Sequence, residues 1–360
     1  MSRDWKVAIL ELDYGHDDCL YSLVRCLREP AREIHLVCHV KLRERTAHFD
    51  GIDGSYWADF GDTTTQEVRA LAGVRSYLID HRFDIVILNT ARGSRVRNLL
   101  LLPLPKMEWI GTAHIANKLF EGTSRKLIAR RVKKYLVLND YIIPHVPLEP
   151  GLKVRGFYPV FFPPVNNPFV TKPDGQIWIT IPGHVERKKR SYMTLIDQLD
   201  AKRLHPDVHF LILGHGSPSD PDVHAVRGAL KDRDLESRFT LFDRFLDTQT
   251  FHSYVAQSDI ILPLIHPREP GFEEYLKYKV SFAFYLAFGY GIPMLCNDAY
   301  EGIDDFDASC FYYSEDRLAE RINQVAENQV LLRDRARIMQ SYPKFQLEHQ
   351  RNRLLSLIQA

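Results

Sequence analysis

No two of the five cysteines, Cys19, Cys26, Cys38, Cys296 and Cys310, stand at CxxC spacing. They sit among apolar neighbours, which fits buried free thiols in a reducing cytoplasm. No apolar run approaches the roughly 18–20 residues that a membrane span needs. The start "MSRDWKVAIL" enters a strand directly and has no signal-peptide pattern, so a cytoplasmic location is expected. Charge of one sign is also lacking: the formal net charge is +1, and no nucleic-acid partner is expected. No G-x-G-x-x-G follows a predicted strand, which counts against a dinucleotide-dependent enzyme built from two α/β domains. What is there is a globular composition, 45% hydrophobic and 26% charged, over 360 residues. That length is enough for two domains with cores of their own.

Strands and helices alternate in two successive sets. In the first half "WKVAILEL", "IHLVCHV", "FDIVILNT", "MEWIGTAH" and "KKYLVLND" are short apolar runs ending in polar or small residues, as buried parallel strands do. Between them lie helical patterns, "DDCLYSLVRCL" with Asp17 and Asp18 as cap and first-turn residues, and "TQEVRALAGVRSYLIDH" with Val68, Leu71, Val74 and Leu78 on one face. The Pro-rich "YIIPHVPLEPGLKVRGFYPVFFPPVNNPF" excludes regular helix and reads as the crossing to a second domain. The second half repeats the pattern. Its strands are "QIWITIPG", "VHFLILGHG", "RFTLFDRF", "SDIILPLI" and "IPMLCND". Its helices are "RSYMTLIDQLDAK", "DVHAVRGALKD", "DTQTFHSYVAQ", "KYKVSFAFYLAFG" and "SEDRLAERINQVAENQVLLRDRARIMQSY". A last amphipathic helix lies in "YPKFQLEHQRNRLLSLIQA", with Phe345, His349, Leu354 and Leu355 on or near one side. The expectation is an α/β chain of two doubly wound Rossmann-like domains, with ligands at the carboxyl ends of strands and in a deep interdomain cleft.

"IPGHVERKKRSYMTLIDQL", "HFLILGHG", "FTLFDRFLDTQTFHSYVAQSDIILPL" and "YLAFGYGIPMLCND" occur in the order and spacing of a known donor domain. The chain thereby resembles the glycosyltransferases of the GT-B fold, especially glycosyltransferase family 4. The resemblance covers the second half well and the first half in outline. It implies an acceptor-side domain at 1–165, a nucleotide-sugar domain at 166–342, and a helix at 343–360 crossing back to the first domain. It also implies transfer of a sugar from a nucleotide-diphosphate sugar to a glycan or lipid-linked acceptor, in cell-surface polysaccharide, lipopolysaccharide or glycolipid synthesis. No metal and no further cofactor are expected, since basic side chains and helix N-termini meet the diphosphate in such enzymes.

The residues that would carry this chemistry stand at strand ends. Gly183 lets the backbone approach a ligand. By spacing, His184 falls where the family has Arg, and Lys189 where it has Lys, with Arg190 next; cations there would stabilise a leaving diphosphate. The competing reading of Glu186 to Arg190 is a solvated turn. Gly214 and Gly216 open a loop that either cradles phosphate or merely turns. "FDRF", 242–245, stands where the family's backbone holds the base, or is a core strand end. In the opposite direction, the family's two glutamates fall on Tyr278 and Leu286, neither an acid. Glu273 or Glu274 can supply a first carboxylate in an offset register. Lys279 and Ser281, a Lys-x-Ser that related GT-B sequences carry instead of the glutamates, would meet the diphosphate at a helix start. Helix capping by Ser281 with a solvated Lys279 is the plainer reading.

In the first half, "LDYGHDD" places Gly15 and His16 in a loop near acceptor and donor. His16, Asp17 and Asp13 are candidate bases for an inverting enzyme; a retaining enzyme needs none. His114 resembles the family's strand-end histidine near the donor sugar, and Arg92 or Arg95 suits an anionic acceptor. The run "SRKLIARRVKKY" gathers Arg125, Lys126, Arg130, Arg131, Lys133 and Lys134 beside Leu127, Ile128 and Val132. It reads as a basic amphipathic helix at 125–134 that lies on the inner membrane face, or as an ordinary surface helix. The missing glutamate pair motivates an alternative function, a catalytically inactive GT-B-like binding or scaffold protein.

Overall fold

The computed structural model describes residues 5–29, 31–147, 149–165 and 170–360. The chain divides into two compact units. The first takes in the chain to Pro163 with Lys277–Val280 and Gln346–Ala360; the second comprises Pro164–Leu276 and Ser281–Phe345. The short return of Lys277–Val280 to the first unit has no signal in the hydrophobic pattern.

The first unit holds a wholly parallel sheet of β1 (Trp5–Glu11), β2 (Ala31–His39), β3 (Gly54–Ala58), β4 (Ile85–Leu88), β5 (Glu108–Ala113), β6 (Lys134–Val137) and β7 (Lys153–Gly156), in the order 3-2-1-4-5-6-7. Side chains alternate between its faces. Ala8 and Leu10 of β1 join one core with Val86 and Leu88 of β4, while Val7 and Ile9 join the other with Ile85 and Ile87. Both faces are covered, so the strands read as continuous apolar runs.

The helix Thr64–His81 opens with a capping box between Thr63 and Gln66 and ends at Arg82 in the left-handed region, φ 52°. Leu71, Val74 and Leu78 are buried. Val68, expected beside them, is 61% exposed because the buried stripe begins one turn later, at Ala70 and Leu71. Asp17 and Asp18 do not cap a helix as expected. They form a 3-10 turn, Asp17–Cys19, ahead of the helix Leu20–Leu27, and Asp17 pairs with Arg45 at 3.2 Å.

The Pro-rich stretch yields β7, an edge strand, followed by the prolines that no interior strand would tolerate. On the same sheet face the helix Leu347–Gln359 buries Leu354, Leu357 and Ile358, each contributing roughly 1.5–3 kcal/mol. Its polar side is equally tied. Arg353 grips Asp140 through two bonds of 2.7 and 2.8 Å, and Gln350, wholly buried, accepts from Tyr158 N at 2.9 Å.

The second unit holds a second wholly parallel sheet of β8 (Ile177–Pro182), β9 (Val208–His215), β10 (Phe239–Phe242), β11 (Ile260–Ile261), β12 (Met294–Asn297) and β13 (Cys310–Tyr313), in the order 10-9-8-11-12-13. The predicted single helix after Ser314 is two, Leu318–Glu327 and Gln329–Ser341; Asn328 breaks it and caps the second half through Leu331 N at 3.1 Å. The helix Phe282–Tyr290 is buried along Ala283 to Phe288, packs on an aromatic cluster that includes Tyr300, Phe306 and Phe345, and ends at Gly291 in the left-handed region. All five cysteines are buried free thiols. Among the described residues no helix is long and apolar enough to cross a membrane.

Each sheet reverses its strand order once, between β1 and β4 in the first unit and between β8 and β11 in the second. Loops leaving the carboxyl ends on either side of such a point run in opposite directions and open a crevice between them.

Candidate functional site

At the switch point of the first unit, β1 ends in Glu11, and its loop carries Asp13 and His16. Strand β4 leads to Asn89, Thr90 and Arg92, and β5 to His114. Glu11 is 1% exposed. Its Oε2 accepts from Asn89 Nδ2 and Thr90 Oγ1, both at 2.6 Å, and its Oε1 from Asp13 N at 3.1 Å. Burial pushes this carboxyl up to about 7, against the three donors, which pull the other way.

Asn89, wholly buried, is the hub. Its amide also donates to the His16 carbonyl at 2.7 Å, and its own carbonyl accepts from His114 Nε2 at 2.7 Å. The His16 and His114 rings stack with centroids 4.0 Å apart. Arg92 Nη2 lies 3.0 Å from His16 Nε2.

Burial first, and then the Arg92 charge, hold His16 down at about 4; Asp13 only partly offsets them. His114 keeps some accessible surface, yet the protein packed around its ring dominates. Burial, then His16, push it down to about 3. Both imidazoles are therefore neutral at pH 7. The partners set the tautomers: His16 accepts at Nε2 and carries its proton on Nδ1, and His114 donates from Nε2 and leaves Nδ1 as acceptor.

A base held near 4 is poorly matched to proton abstraction at neutral pH. The pair is better fitted to hydrogen-bonding hydroxyls. The other candidates turn away from it. Asp17 is held by Arg45, and Asp13 by Arg95 at 3.1 Å, while Arg95 also donates to Leu12 O and stacks over Phe60 at 4.3 Å. Gly15 has nothing within 4 Å of where a Cβ would stand, so no steric reason requires a glycine there.

The switch point of the second unit is built from glycines and one arginine. Gly183 has φ 105°, and its N–H donates to Leu213 O at 2.9 Å. A Cβ on Gly214 would run into the Gly183 carbonyl, because β8 and β9 approach backbone to backbone there, whereas Gly183 is held to glycine by its positive φ and by the Arg190 guanidinium packed where a Cβ would stand. Gly216 is buried, its N–H spent on Phe242 O at 3.0 Å. Beside them His184 and His215, both exposed, stack at 5.9 Å.

Arg190 donates from Nη1 to Pro263 O at 2.6 Å, and Ser191 N to Leu264 O at 3.0 Å. Together they clamp the loop after β11. Leu264 there is wholly buried at φ 52°, a left-handed conformation that costs a non-glycine residue roughly 1–2 kcal/mol. His266 follows, buried, bonded through Nε2 to Tyr313 OH at 2.8 Å and pushed down to about 4 by burial and then Arg268.

Other expected residues lie elsewhere. Lys189 is turned outward, its side chain 54% exposed and bonded to Glu186 at 2.8 Å. Glu274 belongs to a separate short helix, Phe272–Lys277. The next helix starts at Phe282, so Lys279 to Ser281 precede it rather than form its first turn. Ser281, 5% exposed, occupies the cap position without a side-chain cap bond. Lys279 belongs to the first unit, where its carbonyl accepts from Tyr141 OH at 3.0 Å, while Ser281 belongs to the second. Tyr278 is held there too, its carbonyl accepting from Ala116 N at 2.9 Å.

In the segment 125–134 the apolar side is turned into the protein. Ile128 and Val132 are buried in the first unit's core. Arg131 donates to Leu100 O at 2.7 Å, and Lys134 starts β6 and pairs with Glu108. Lys126, Arg130 and Lys133 remain exposed.

Glu11, Asn89 and His215 escaped the sequence reading as site residues. An acid inside the run "VAILELD" was the available signal, since a strand buried on both faces rarely ends in an unpaired carboxylate.

No family model matches the chain, and no curated protein matches its sequence. Solved structures do match its fold. Anabaena HepE, in complex with UDP-glucose, superposes with a TM-score of 0.67 at 13% identity, over 99% of this chain and 99% of that one. A glycosyltransferase from Rickettsia africae gives 0.66 at 12% identity, over 99% and 98%. A Listeria monocytogenes protein assigned as a UDP-N-acetylglucosamine 2-epimerase gives 0.62 at 14% identity, over 98% and 96%. At such identities the likeness establishes the fold, which is that of GT-B glycosyltransferases.

Proposed function

From the GT-B fold and its two strand-order switch points, we propose that the protein transfers a sugar from a nucleoside-diphosphate sugar to a hydroxyl-bearing acceptor. The observation that carries this reading is the whole-chain likeness to enzymes of nucleotide sugars, one of them holding UDP-glucose. In the reaction the bond from the sugar C1 to the diphosphate oxygen breaks, and the diphosphate leaves with the electron pair. The acceptor oxygen bonds to C1, and its proton passes to the departing diphosphate. On this reading the glycine-built crevice of the second unit receives the diphosphate, with the Arg190 guanidinium, which has N–H donors beyond the one given to Pro263 O, stabilising the developing charge and no divalent metal. Neutral His16 and His114 would hydrogen-bond sugar or acceptor hydroxyls.

Calorimetric titration of the full chain with UDP, GDP and their sugars tests this, followed by release of the diphosphate from the sugar nucleotide that binds. Micromolar binding and turnover that survives EDTA are expected. Absence of binding by every nucleotide diphosphate and nucleotide sugar overturns the reading.

A second reading, a GT-B-like protein that binds without transfer, is favoured by Leu286. It is wholly buried in the helix Phe282–Tyr290, so no carboxylate can stand where the family places one. Binding of a sugar nucleotide with no turnover across glycan and lipid-linked acceptors would select it. Acceptors of cell-surface polysaccharide, lipopolysaccharide or glycolipid belong to the transferase proposal. Peripheral contact with an anionic membrane would rest on Lys126, Arg130 and Lys133 alone, at about 1 kcal/mol each.

A further inference from the structure

Beside His114 the first unit contains a pocket of about 290 Å³, counted to its open mouth. The loop after β4 supplies Thr90 and Arg92, β5 and its loop supply Thr112 and His114, and the following turn and helix bring in Lys118 and Arg125. Among the described residues its lining includes three cations and no carboxylate. Arg125 pairs with Glu121 at 3.4 Å, and Glu121 is 64% exposed, a pair too wet to cancel its charge. Arg92 spends Nη2 on His16 and has further N–H donors in its planar fork.

A second observation points to a ligand. Thr112 is 2% exposed, and among the described residues its hydroxyl has no hydrogen-bond partner, whereas the neighbouring Thr90 hydroxyl is spent on Glu11. A buried hydroxyl without a partner costs free energy that an acceptor oxygen in the pocket would remove.

We propose that this pocket binds the anionic group, a phosphate or a carboxylate, of the molecule that accepts the sugar. The reading rests on the transferase proposal. Arg92 and Arg125 grip the anion, Lys118 adds a point charge, and Thr112 donates its hydroxyl, leaving the acceptor's reacting hydroxyl near the paired histidines. The enclosed part has room for about one or two waters, so it takes the charged group alone and leaves the rest of the acceptor at the open mouth.

The full chain is titrated calorimetrically with sodium glucuronate and with inorganic phosphate, with and without saturating UDP. It is also sedimented with phosphatidylcholine vesicles, plain or containing phosphatidic acid. Binding of at least one soluble probe, or of phosphatidic acid vesicles, is expected; the first indicates a soluble or sugar-borne anion and the second a lipid phosphate. The affinity should fall about tenfold in Arg125→Ala and Lys118→Ala, persist under UDP, and return in Arg125→Lys. UDP affinity should be the same in all these chains. No binding by any probe while UDP binds overturns the inference and leaves the transferase reading standing. So does binding that UDP abolishes, or binding that both substitutions leave unchanged. Failure of every nucleotide diphosphate and nucleotide sugar to bind removes the transferase reading, whereas anion binding lost in the variants then still supports the pocket.

Discussion

Replacing Glu11 by Gln separates burial from hydrogen bonding at the first unit's switch point. The wild-type carboxyl is raised from an ordinary 4.5 to about 7 in the folded chain. The folded state therefore binds the proton more tightly than the unfolded one. Its contribution is fully present below pH 4.5 and is lost as the pH rises through 7. At 1.36 kcal/mol per pH unit, the whole loss is about 3 kcal/mol. Gln does not titrate. Its amide oxygen can accept from Asn89 and Thr90, but its NH₂ would then face Asp13 N–H, and that lost bond costs about 1 kcal/mol or more at every pH. At pH 5 the variant should therefore be clearly the less stable chain. By pH 8 its deficit should shrink by about 2–3 kcal/mol and close or reverse. Denaturant unfolding of both chains from pH 4.5 to 8, followed by the thermal midpoint at each pH, measures the difference. Histidine contributions cancel in the comparison. Infrared spectroscopy supplies an independent check: a protonated-carboxyl band at pH 6 in excess of the one that Asp18, also raised to about 7 by burial, leaves in the variant. A stability difference that is flat with pH, with no such band, would refute the argument that burial outweighs the three donors.

The remaining predictions concern the same two switch points and the basic segment. Nitrogen-15 spectra should find His16 and His114 as neutral tautomers down to about pH 5, since burial and Arg92 lower both; a His16 titrating near 6.5 would contradict this. That depression has the opposite sign to Glu11, because the unfolded chain takes up those protons first and stability falls on acidification below 6.5. Gly214→Ala should destabilise the second unit by about 1–3 kcal/mol and weaken nucleotide binding, because its Cβ meets the rigid Gly183 carbonyl. An unchanged thermal midpoint would show that β8 and β9 can part. The triple substitution of Lys126, Arg130 and Lys133 by Gln should abolish any sedimentation with anionic vesicles; sedimentation that survives it would mean another surface is used.

Strand content was legible wherever a strand is buried on both faces. "VAIL", "IVIL", "IWITI" and "FLIL" need no partner to be recognised, because every position must be apolar. The strands that escaped, β3, β7 and β13, lie at sheet edges. In β3 and β7 one side meets solvent and a Lys153 or Arg155 costs nothing, so the apolar signature fades, whereas β13, Cys310–Tyr313, is mostly buried and escaped because it is only four residues long. Helix starts failed for a different reason. Asp17 and Lys279 have the right chemistry for a first turn, but tertiary partners claim them. Arg45 takes the Asp17 side chain, and Tyr141 takes the Lys279 carbonyl. Local propensity has little weight against one long-range hydrogen bond that also fixes the chain's path.

The site shows the same limit more sharply, because sequence marks where strands end but not what closes over the ends. His16, His114 and Gly183 follow apolar runs and were visible for that reason. Lys118 and Arg125 reach the pocket from a turn and a helix, and nothing in "NKLFEGTSRKLIARR" distinguishes a charge aimed inward from one aimed at water. Only the burial of Ile128 and Val132 does so. With those two in the core, the helix has a fixed rotation, which presents Arg125 to the pocket and leaves Lys126 and Arg130 to solvent. A run of cations that reads as one membrane-facing stripe is thus divided by its own apolar residues into three duties: anion pocket, internal bracing by Arg131 and Lys134, and solvation. The division predicts its own signature. Neutralising Arg125 should change ligand affinity and leave stability nearly untouched. Neutralising Arg131, which caps Leu100 O and covers Trp109, should lower stability by about 1–2 kcal/mol and leave affinity unchanged.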